Sequence, residues 1–159
     1  IRVEADEVTY CLHVILRFEL ELALIDGTLD TAELPAAWAA KMKQFLGIDV
    51  PDDLHGVLQD IHWSEGIIGY FPTYAVGNVL AAQLWDVAQD EIPGLDDEIA
   101  RGELGALRVW LREKIHRHGR LLTPPELIEQ AVGGPLDPAP MLAHLRAKYG
   151  ALYGLPAAD

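Results

Sequence analysis

The stretch DEVTYCLHVILRFELELALI, residues 6–25, decides the fold class of this chain. Its apolar residues recur every three or four positions, which is the period of an α-helix and not the alternation of a strand. The main apolar stripe consists of Val8, Leu12, Ile15, Leu16, Leu20 and Ala23. Tyr10, Val14, Phe18, Leu22 and Leu24 fill other sides. We therefore predict a helix that is buried on most sides and is stopped by Gly27.

Helix signals continue on the C-terminal side of this stretch. Pro35 can open a second helix that ends at Gly47, and Pro72–Thr73 can open a third that ends before Pro93. Further helices are predicted over 102–118, from Thr123 and from Asp137–Pro138. Since no segment alternates apolar and polar residues for long enough to indicate a strand, the sequence predicts an all-α fold in a single helical domain, 1–159. The acidic segment 90–98 is predicted to be a solvated corner.

The composition excludes several classes of partner. The 159 residues carry a formal net charge of −13, which argues against nucleic acid or an anionic membrane surface as a partner. No apolar run is long enough to span a bilayer. The single cysteine, Cys11, cannot form an internal disulfide, so we expect a cytoplasmic protein.

The chain opens with IRVEAD, without Met and directly before a helical pattern. We therefore expect it to be a piece of a longer protein. In an isolated piece the first helix would expose apolar surface, so we also expect self-association into a homo-oligomer.

The sequence provides no complete catalytic centre of its own. Six histidines are present, but none lies in a His-Glu-x-x-His motif, and we predict no metal site in this chain. Cys11 lies within an apolar helix, where a thiol is usually an inert core residue. Ser64 is not part of a Gly-x-Ser-x-Gly turn.

The segment GVLQDIHWSEGIIGYFPTY, residues 56–74, concentrates polar and aromatic side chains between glycines. Tyr70 and Tyr74 are four residues apart, and Gly66 and Gly69 would let His62 fold back towards them. A His beside a Tyr can donate hydrogen bonds to a carbonyl oxygen that becomes negative during acyl transfer. Alternatively, the rings only pack and their polar tips are satisfied locally.

Two neighbouring polar residues allow similar alternatives. Asp60 is expected to orient a neighbour or cap a turn rather than act as an acid or base. Gln59 allows a supporting or a purely structural role.

Several segments resemble the carboxypeptidase Taq family of zinc metallocarboxypeptidases. IRVEAD and GVLQDIHW resemble two signature stretches of that family, in the same order and with matching spacing. The segments DEVTYCLHVILRFELE, LPAAW and GYFPTYAVGNVLAAQLW are also similar, and the resemblance extends to about Tyr153. Cys11 and Ala39 depart from it, because Asn is expected at both positions.

The resemblance implies a saddle-like helical body with a deep groove. In that family, zinc is held by His-Glu-x-x-His and a downstream Glu, and the Glu of the motif activates water. All of these precede the segment that resembles IRVEAD, so the chain resembles the C-terminal third of such an enzyme. Zinc, or another divalent metal, is therefore expected in the full-length parent and not in this chain.

The resemblance also implies roles for individual residues. Tyr74 is expected to donate to the oxyanion, with Tyr70 as the second candidate, and His62 to donate to the substrate backbone. Arg2 is a candidate to bind the substrate's terminal carboxylate, because a guanidinium can bind it through two hydrogen bonds. Alternatively, Arg2 forms a salt bridge with Asp6, which we expect to be structural.

Two functional hypotheses follow. In the first, the chain is the C-terminal segment of a zinc carboxypeptidase, with peptides as substrate and the missing N-terminal part of the same fold as partner; alone it would be inactive. In the second, it is a stand-alone, non-catalytic helical module that binds peptides or self-associates.

Overall fold

A computed structural model describes residues 2–156 of the chain. It contains α1 (Tyr10–Ile25), α2 (Leu34–Leu46), α3 (Pro72–Glu91), α4 (Leu95–Ala100), α5 (Gly105–Lys114), α6 (Pro124–Val132) and α7 (Ala139–Tyr153). Short 3₁₀ helices span Arg2–Glu4, Val57–Gln59 and His116–His118. No strand occurs in these residues, and the prediction of an all-α fold is confirmed.

The chain divides into two compact units, Ile1–Val76 and Gly77–Asp159. Each unit has its own cluster of buried apolar side chains. The assignment of the whole chain to one domain of a larger fold stays a prediction.

The N-terminal unit is built on the packing of α1 against α2. Leu16 and Leu20 of α1 meet Trp38 and Met42 of α2 in its apolar core. Gly47 ends α2 in the left-handed conformation, with φ of 70°, at the position that the sequence predicted.

The first helix begins later than its apolar pattern suggests. Asp6 accepts hydrogen bonds from the backbone N–H groups of Val8 and Thr9 at 2.9 and 3.0 Å, and from the Thr9 hydroxyl at 2.8 Å. These bonds hold residues 6–9 in a turn, so α1 starts at Tyr10.

One face of α1 is not covered by the residues that the structure describes. Ile15, Phe18, Leu22 and Ile25 are between 38 and 66% exposed. This exposure agrees with the apolar surface that the sequence predicted for an isolated piece, and the burial of this face in a longer protein stays a prediction.

The C-terminal unit contains the helix that sequence reasoning missed. Segment 90–98 was predicted to be a solvated corner, but it includes the start of α4. Gly94 turns the chain with φ of 75°, and Leu95 enters a core formed with Ala88, Ile92 and Trp110. Three acidic residues fill the first turn of α4, where they interact favourably with the helix dipole.

The remaining helices follow their sequence signals. α3 begins at Pro72, and α6 begins after Thr123, whose side chain forms a capping box with Glu126. The helix predicted over 102–118 is shorter, since α5 ends at Lys114 and a 3₁₀ turn follows. Within residues 2–156, no helix combines the length and the apolar character needed to cross a membrane.

Candidate functional site

The polar segment 56–74 folds back on itself in the N-terminal unit. The backbone N–H of Ile67 donates to the carbonyl of His62 at 2.8 Å, which closes a turn after the histidine. Gly66 and Gly69 adopt φ values of 72° and 76°, which glycine accepts at little cost. The turns that the sequence predicted at these two glycines are present.

The fold brings His62, Tyr70 and Tyr74 together. Nε2 of His62 lies 3.0 Å from Oη of Tyr74, and the two tyrosine rings pack edge to face with centroids 5.3 Å apart. His62 is 7% exposed and rests on the buried ring of Phe71, whereas Tyr70 is 48% exposed. This contact gives Nε2 of His62 and the hydroxyl of Tyr74 a hydrogen-bond partner each, and it is compatible with both the catalytic and the packing interpretation.

Asp60 lies between two arginines beneath this cluster. Its Oδ1 accepts from Nε and Nη2 of Arg2 at 3.2 and 3.0 Å, and its Oδ2 accepts from Nε of Arg17. Burial alone would raise the pKa of Asp60, but the charges and hydrogen bonds of Arg17 and Arg2 hold it below its ordinary value. The carboxylate is therefore ionised at neutral pH.

Both guanidiniums also lie against aromatic rings. Arg2 is 4.7 Å from the ring centroid of Tyr74 and donates from Nη1 to Oη of Tyr10 at 3.1 Å. Arg17 is 4.4 Å from the ring centroid of Trp38. Two guanidiniums and one carboxylate leave a formal charge of +1, which the electron-rich ring faces accommodate.

The sequence left two alternatives open for Arg2, and the structure shows it in a salt bridge. The partner is Asp60 and not Asp6, whose carboxylate instead binds the turn at Val8 and Thr9. Arg2 is only 5% exposed. The binding of a substrate carboxylate by Arg2 stays a prediction.

Sequence reasoning missed Arg17, which is 1% exposed on α1 and also donates from Nη1 to the backbone carbonyl of His13 at 2.6 Å. The available signal was a lone arginine within the apolar run VILRFEL. A charge in such a run has to be paired if it is buried.

His62 has one ring nitrogen without a hydrogen bond. Its Nδ1 is buried and has no hydrogen-bond partner among the described residues, but it lies 3.6 Å from Oδ1 of Asp60. That distance is too long for a hydrogen bond, so the contact is electrostatic.

A separate open cleft of about 490 Å³ lies beside this cluster in the N-terminal unit. Gln59 and Asp6 contribute to its lining together with His13, whose Nδ1 is buried without a hydrogen-bond partner in the described structure. Burial and the charge of Arg17 lower the pKa of His13 to about 4, so its imidazole is neutral at pH 7. Gln59 therefore lies beside the cleft and outside the His62–Tyr74 contact.

The described residues do not fit a metal centre of their own. Nowhere in residues 2–156 do three or more His, Cys, Asp or Glu side chains converge as metal ligands would. What this unit offers is a pair of hydrogen-bonding groups, His62 and Tyr74, over a buried ionic cluster.

Comparisons with known proteins place these features in a family. The profile of the carboxypeptidase Taq (M32) metallopeptidases matches residues 1–149. Thermostable carboxypeptidase 1 of Thermus thermophilus is 48% identical over 97% of the chain, and carboxypeptidase 1 of Bacillus subtilis is 42% identical over 96%. The chain spans 30% of the length of each of these relatives.

Solved structures agree with the sequence comparison. The M32 carboxypeptidase of Deinococcus radiodurans R1 superimposes with a TM-score of 0.93 and 50% identity, over 97% of this chain and 31% of that one. Metallocarboxypeptidase 1 of Trypanosoma cruzi superimposes with a TM-score of 0.90 and 45% identity, over 94% and 32%.

Proposed function

This chain belongs to the carboxypeptidase Taq (M32) family of metallopeptidases, and on that premise we propose that it forms the C-terminal part of a zinc metallocarboxypeptidase. The whole enzyme would hydrolyse the C-terminal peptide bond of peptides. The observation that carries the proposal is the contact of 3.0 Å between His62 and Tyr74, next to the exposed ring of Tyr70.

In this proposal Tyr74 donates its hydroxyl hydrogen to the carbonyl oxygen as that oxygen becomes negative. A fixed donor of this kind stabilises the transition state more than the ground state, so it acts on turnover. The ring of Tyr74 is held between Arg2 and Tyr70, which fixes the position of the hydroxyl. Tyr70 is the second candidate for the same role.

His62 would bind a backbone oxygen of the peptide through Nε2. It is buried except for a small part of its ring, and Phe71 supports it from below. Arg2 is a weaker candidate for contact with substrate, because its Nε and Nη2 already bind Asp60. We therefore propose His62 and Tyr74 as the groups of this chain that meet the peptide.

The metal and the base that activates water would come from residues outside this chain. Members of this family are metal-dependent, and zinc is the metal that we propose. A bound metal of this kind would polarise the scissile carbonyl and supply an activated water. This chain would contribute hydrogen-bond donors, and a cytoplasmic location stays a prediction.

The test is peptide hydrolysis by the full-length protein, with release of the C-terminal residue followed by mass spectrometry. Tyr74→Phe should lower kcat about a hundredfold with a small change in KM, because the lost hydrogen bond acts in the transition state. Tyr153→Phe removes a hydroxyl from an exposed tyrosine of the other unit and should leave kcat unchanged.

Two results would count against this proposal. If the wild-type protein releases no C-terminal residues, the carboxypeptidase function is wrong. If Tyr74→Phe keeps normal turnover and Tyr70→Phe does not, the two tyrosines have exchanged roles.

A second candidate function rests on the exposed apolar face of α1 at Ile15, Phe18, Leu22 and Ile25. A contiguous apolar face of this kind is typical of an interaction surface. In that case the chain acts as a helical module without catalysis, which self-associates or binds peptides. Light scattering of the 159-residue chain that shows a monomer at high concentration would contradict self-association.

A further inference from the structure

We propose that Asp60 is a positioning residue, which holds a proton on Nδ1 of His62 and so presents Nε2 to Tyr74 and to the peptide. This inference rests on the proposed function for its catalytic meaning. The protonation of Nδ1 of His62 can itself be measured without any assay of activity.

The first step concerns the surroundings of Nδ1. The nitrogen is buried, and the polar atom 3.6 Å away is the carboxylate oxygen Oδ1 of Asp60. A bare Nδ1 would point its lone pair at a negative oxygen, which is repulsive. An N–H at the same place is attracted, so the carboxylate favours the tautomer that has its proton on Nδ1.

The second step is that Asp60 cannot turn away. Oδ1 is held by two hydrogen bonds from Arg2, and Oδ2 is held by Arg17 from α1. The two arginines lie on different elements, Arg2 on the 3₁₀ helix Arg2–Glu4 and Arg17 on α1, so each carboxylate oxygen is fixed by its own partner. They also keep the carboxylate ionised, which maintains its negative charge beside His62.

The third step follows for Nε2. In neutral His62 with its proton on Nδ1, Nε2 is bare and accepts the hydroxyl hydrogen of Tyr74 across 3.0 Å. In the imidazolium, both ring nitrogens carry protons, and Nε2 donates to the backbone oxygen of the peptide. The hydroxyl of Tyr74 is then free to donate to a substrate oxygen.

The charged and titratable groups around His62 are consistent with this division of roles. Asp60 faces Nδ1, whereas the hydroxyl of Tyr74 faces Nε2, and the ring centroid of Tyr70 lies 6.1 Å from that of the imidazole. Arg2 and Arg17 both approach through Asp60. Asp60 is therefore the carboxylate that the structure pairs with His62, and it lies on the Nδ1 side.

The direct test is ¹⁵N NMR of the full-length protein labelled at histidine, recorded at about pH 9, where imidazole is neutral. The signals of His62 are assigned by their loss in His62→Gln. We expect the chemical shifts of a protonated Nδ1 and a bare Nε2. A proton on Nε2 in the wild-type protein would overturn the proposal.

A variant separates the influence of Asp60 from that of Tyr74. In Tyr74→Phe the hydrogen-bond partner of Nε2 is gone, but Asp60 and both arginines remain. His62 should keep its proton on Nδ1 if Asp60 sets the tautomer. A shift of the proton to Nε2 in this variant would show that Tyr74 sets it, and the proposal would be wrong.

The catalytic part is tested by a double-mutant cycle. Asp60→Asn should lower kcat by about tenfold to a hundredfold, the scale for a group that orients a functional histidine. In the His62→Gln background the same substitution should have almost no further effect on kcat. Equal effects in both backgrounds would mean that Asp60 acts only through stability.

Glu21→Gln is the matched control for this cycle. Glu21 is also a buried carboxylate of the same unit, but it binds Nε1 of Trp63 at 3.1 Å and not His62. Glu21→Gln should leave the His62 tautomer unchanged.

If Asp60→Asn does not fold, the NMR spectra of the wild type and of Tyr74→Phe still test which ring nitrogen of His62 carries the proton. Absence of carboxypeptidase activity would refute the proposed function and leave the NMR result standing.

Discussion

The two units of the chain build their interiors from different chemistry. In the N-terminal unit the buried polar side chains are Arg2, His13, Arg17, Glu21 and His62. Within residues 77–156 Gln83 alone is a buried polar side chain, and the rest of that interior is apolar. Apolar packing is sufficient to stabilise a helical unit of this size, whereas buried charges bring a desolvation cost. Stability alone therefore gives no reason for the buried charges of the N-terminal unit, and the proposed function would supply one.

A tryptophan–glutamate contact repeats in both units and shows the same difference. Trp63 donates from Nε1 to Glu21, which is buried, and Trp110 donates from Nε1 to Glu91, which is exposed and also binds Lys114. The same contact thus belongs to an ionic interior in one unit and to a surface network in the other.

The largest effect is expected when the ionic cluster loses one arginine. Arg17→Met should lower the free energy of unfolding of the chain by about 4 kcal/mol, because it removes one partner of a buried ion pair. Urea unfolding measures the change. Arg101→Met removes an exposed partner of Glu103 and should cost less than about 1 kcal/mol. Equal losses in the two variants would contradict the contrast between the units.

The second prediction concerns pH. His13 is buried with its pKa lowered to about 4, while the unfolded chain binds a proton near the ordinary value of 6.5. Between these values the unfolded state holds a proton that the folded state excludes. Stability is therefore full above pH 6.5 and should fall by about 3 kcal/mol as the pH decreases to 4.

His13→Gln tests this origin. The variant should lose the decrease in stability between pH 6.5 and 4, whereas His116→Gln, at an exposed histidine, should keep it. Further loss of stability below pH 4 belongs to carboxylates such as Asp60, whose pKa is lowered in the folded state. If His13→Gln shows the wild-type decrease, another group is responsible.

A smaller effect is expected in the C-terminal unit. The amide of Gln83 donates to the carbonyl of Pro135 and accepts from the N–H of Asp137, both at 3.0 Å. Gln83→Met keeps the shape but leaves both backbone groups without this partner, so it should cost about 2 kcal/mol in urea unfolding. Gln89→Met is the control, at a partly exposed residue of α3 whose amide binds the carboxylate of Asp96 at 2.7 Å. A neutral result for Gln83→Met would mean that water replaces the amide.

These contrasts also show what the sequence could predict. Gly47, Gly66 and Pro72 act on their immediate neighbours, so the ends of helices and the return of His62 towards Tyr74 were predictable from local signals. The pairing of Arg17 with Asp60 was not, because the two are 43 residues apart and meet only through tertiary packing.

The same reason explains why one helix was missed and why the burial of another stayed open. α4 was missed because its acidic residues indicate a solvated segment, and the burial of Leu95 depends on contacts with α3 and α5. For α1 the apolar pattern predicted which residues pack against a neighbouring segment, but a pattern cannot show whether that segment belongs to the same chain. The exposed residues Ile15 and Phe18 show that it does not lie within the described part.

The smallest effect is expected at Glu91, and it sharpens the contrast with Glu21. Hydrogen bonds from Lys114 and Trp110 lower the pKa of Glu91, but the carboxylate is exposed and water can replace either partner. Glu91→Gln should therefore change the free energy of unfolding by less than about 1 kcal/mol, and salt should reduce that change further. Glu21→Gln places an amide with two new N–H donors in a buried site, so it should destabilise more and with little dependence on salt. Urea unfolding of both variants at low and high salt measures the difference. If the two substitutions have the same effect and the same salt dependence, the interiors of the two units are alike in polarity, and the functional explanation for the buried charges loses its main support.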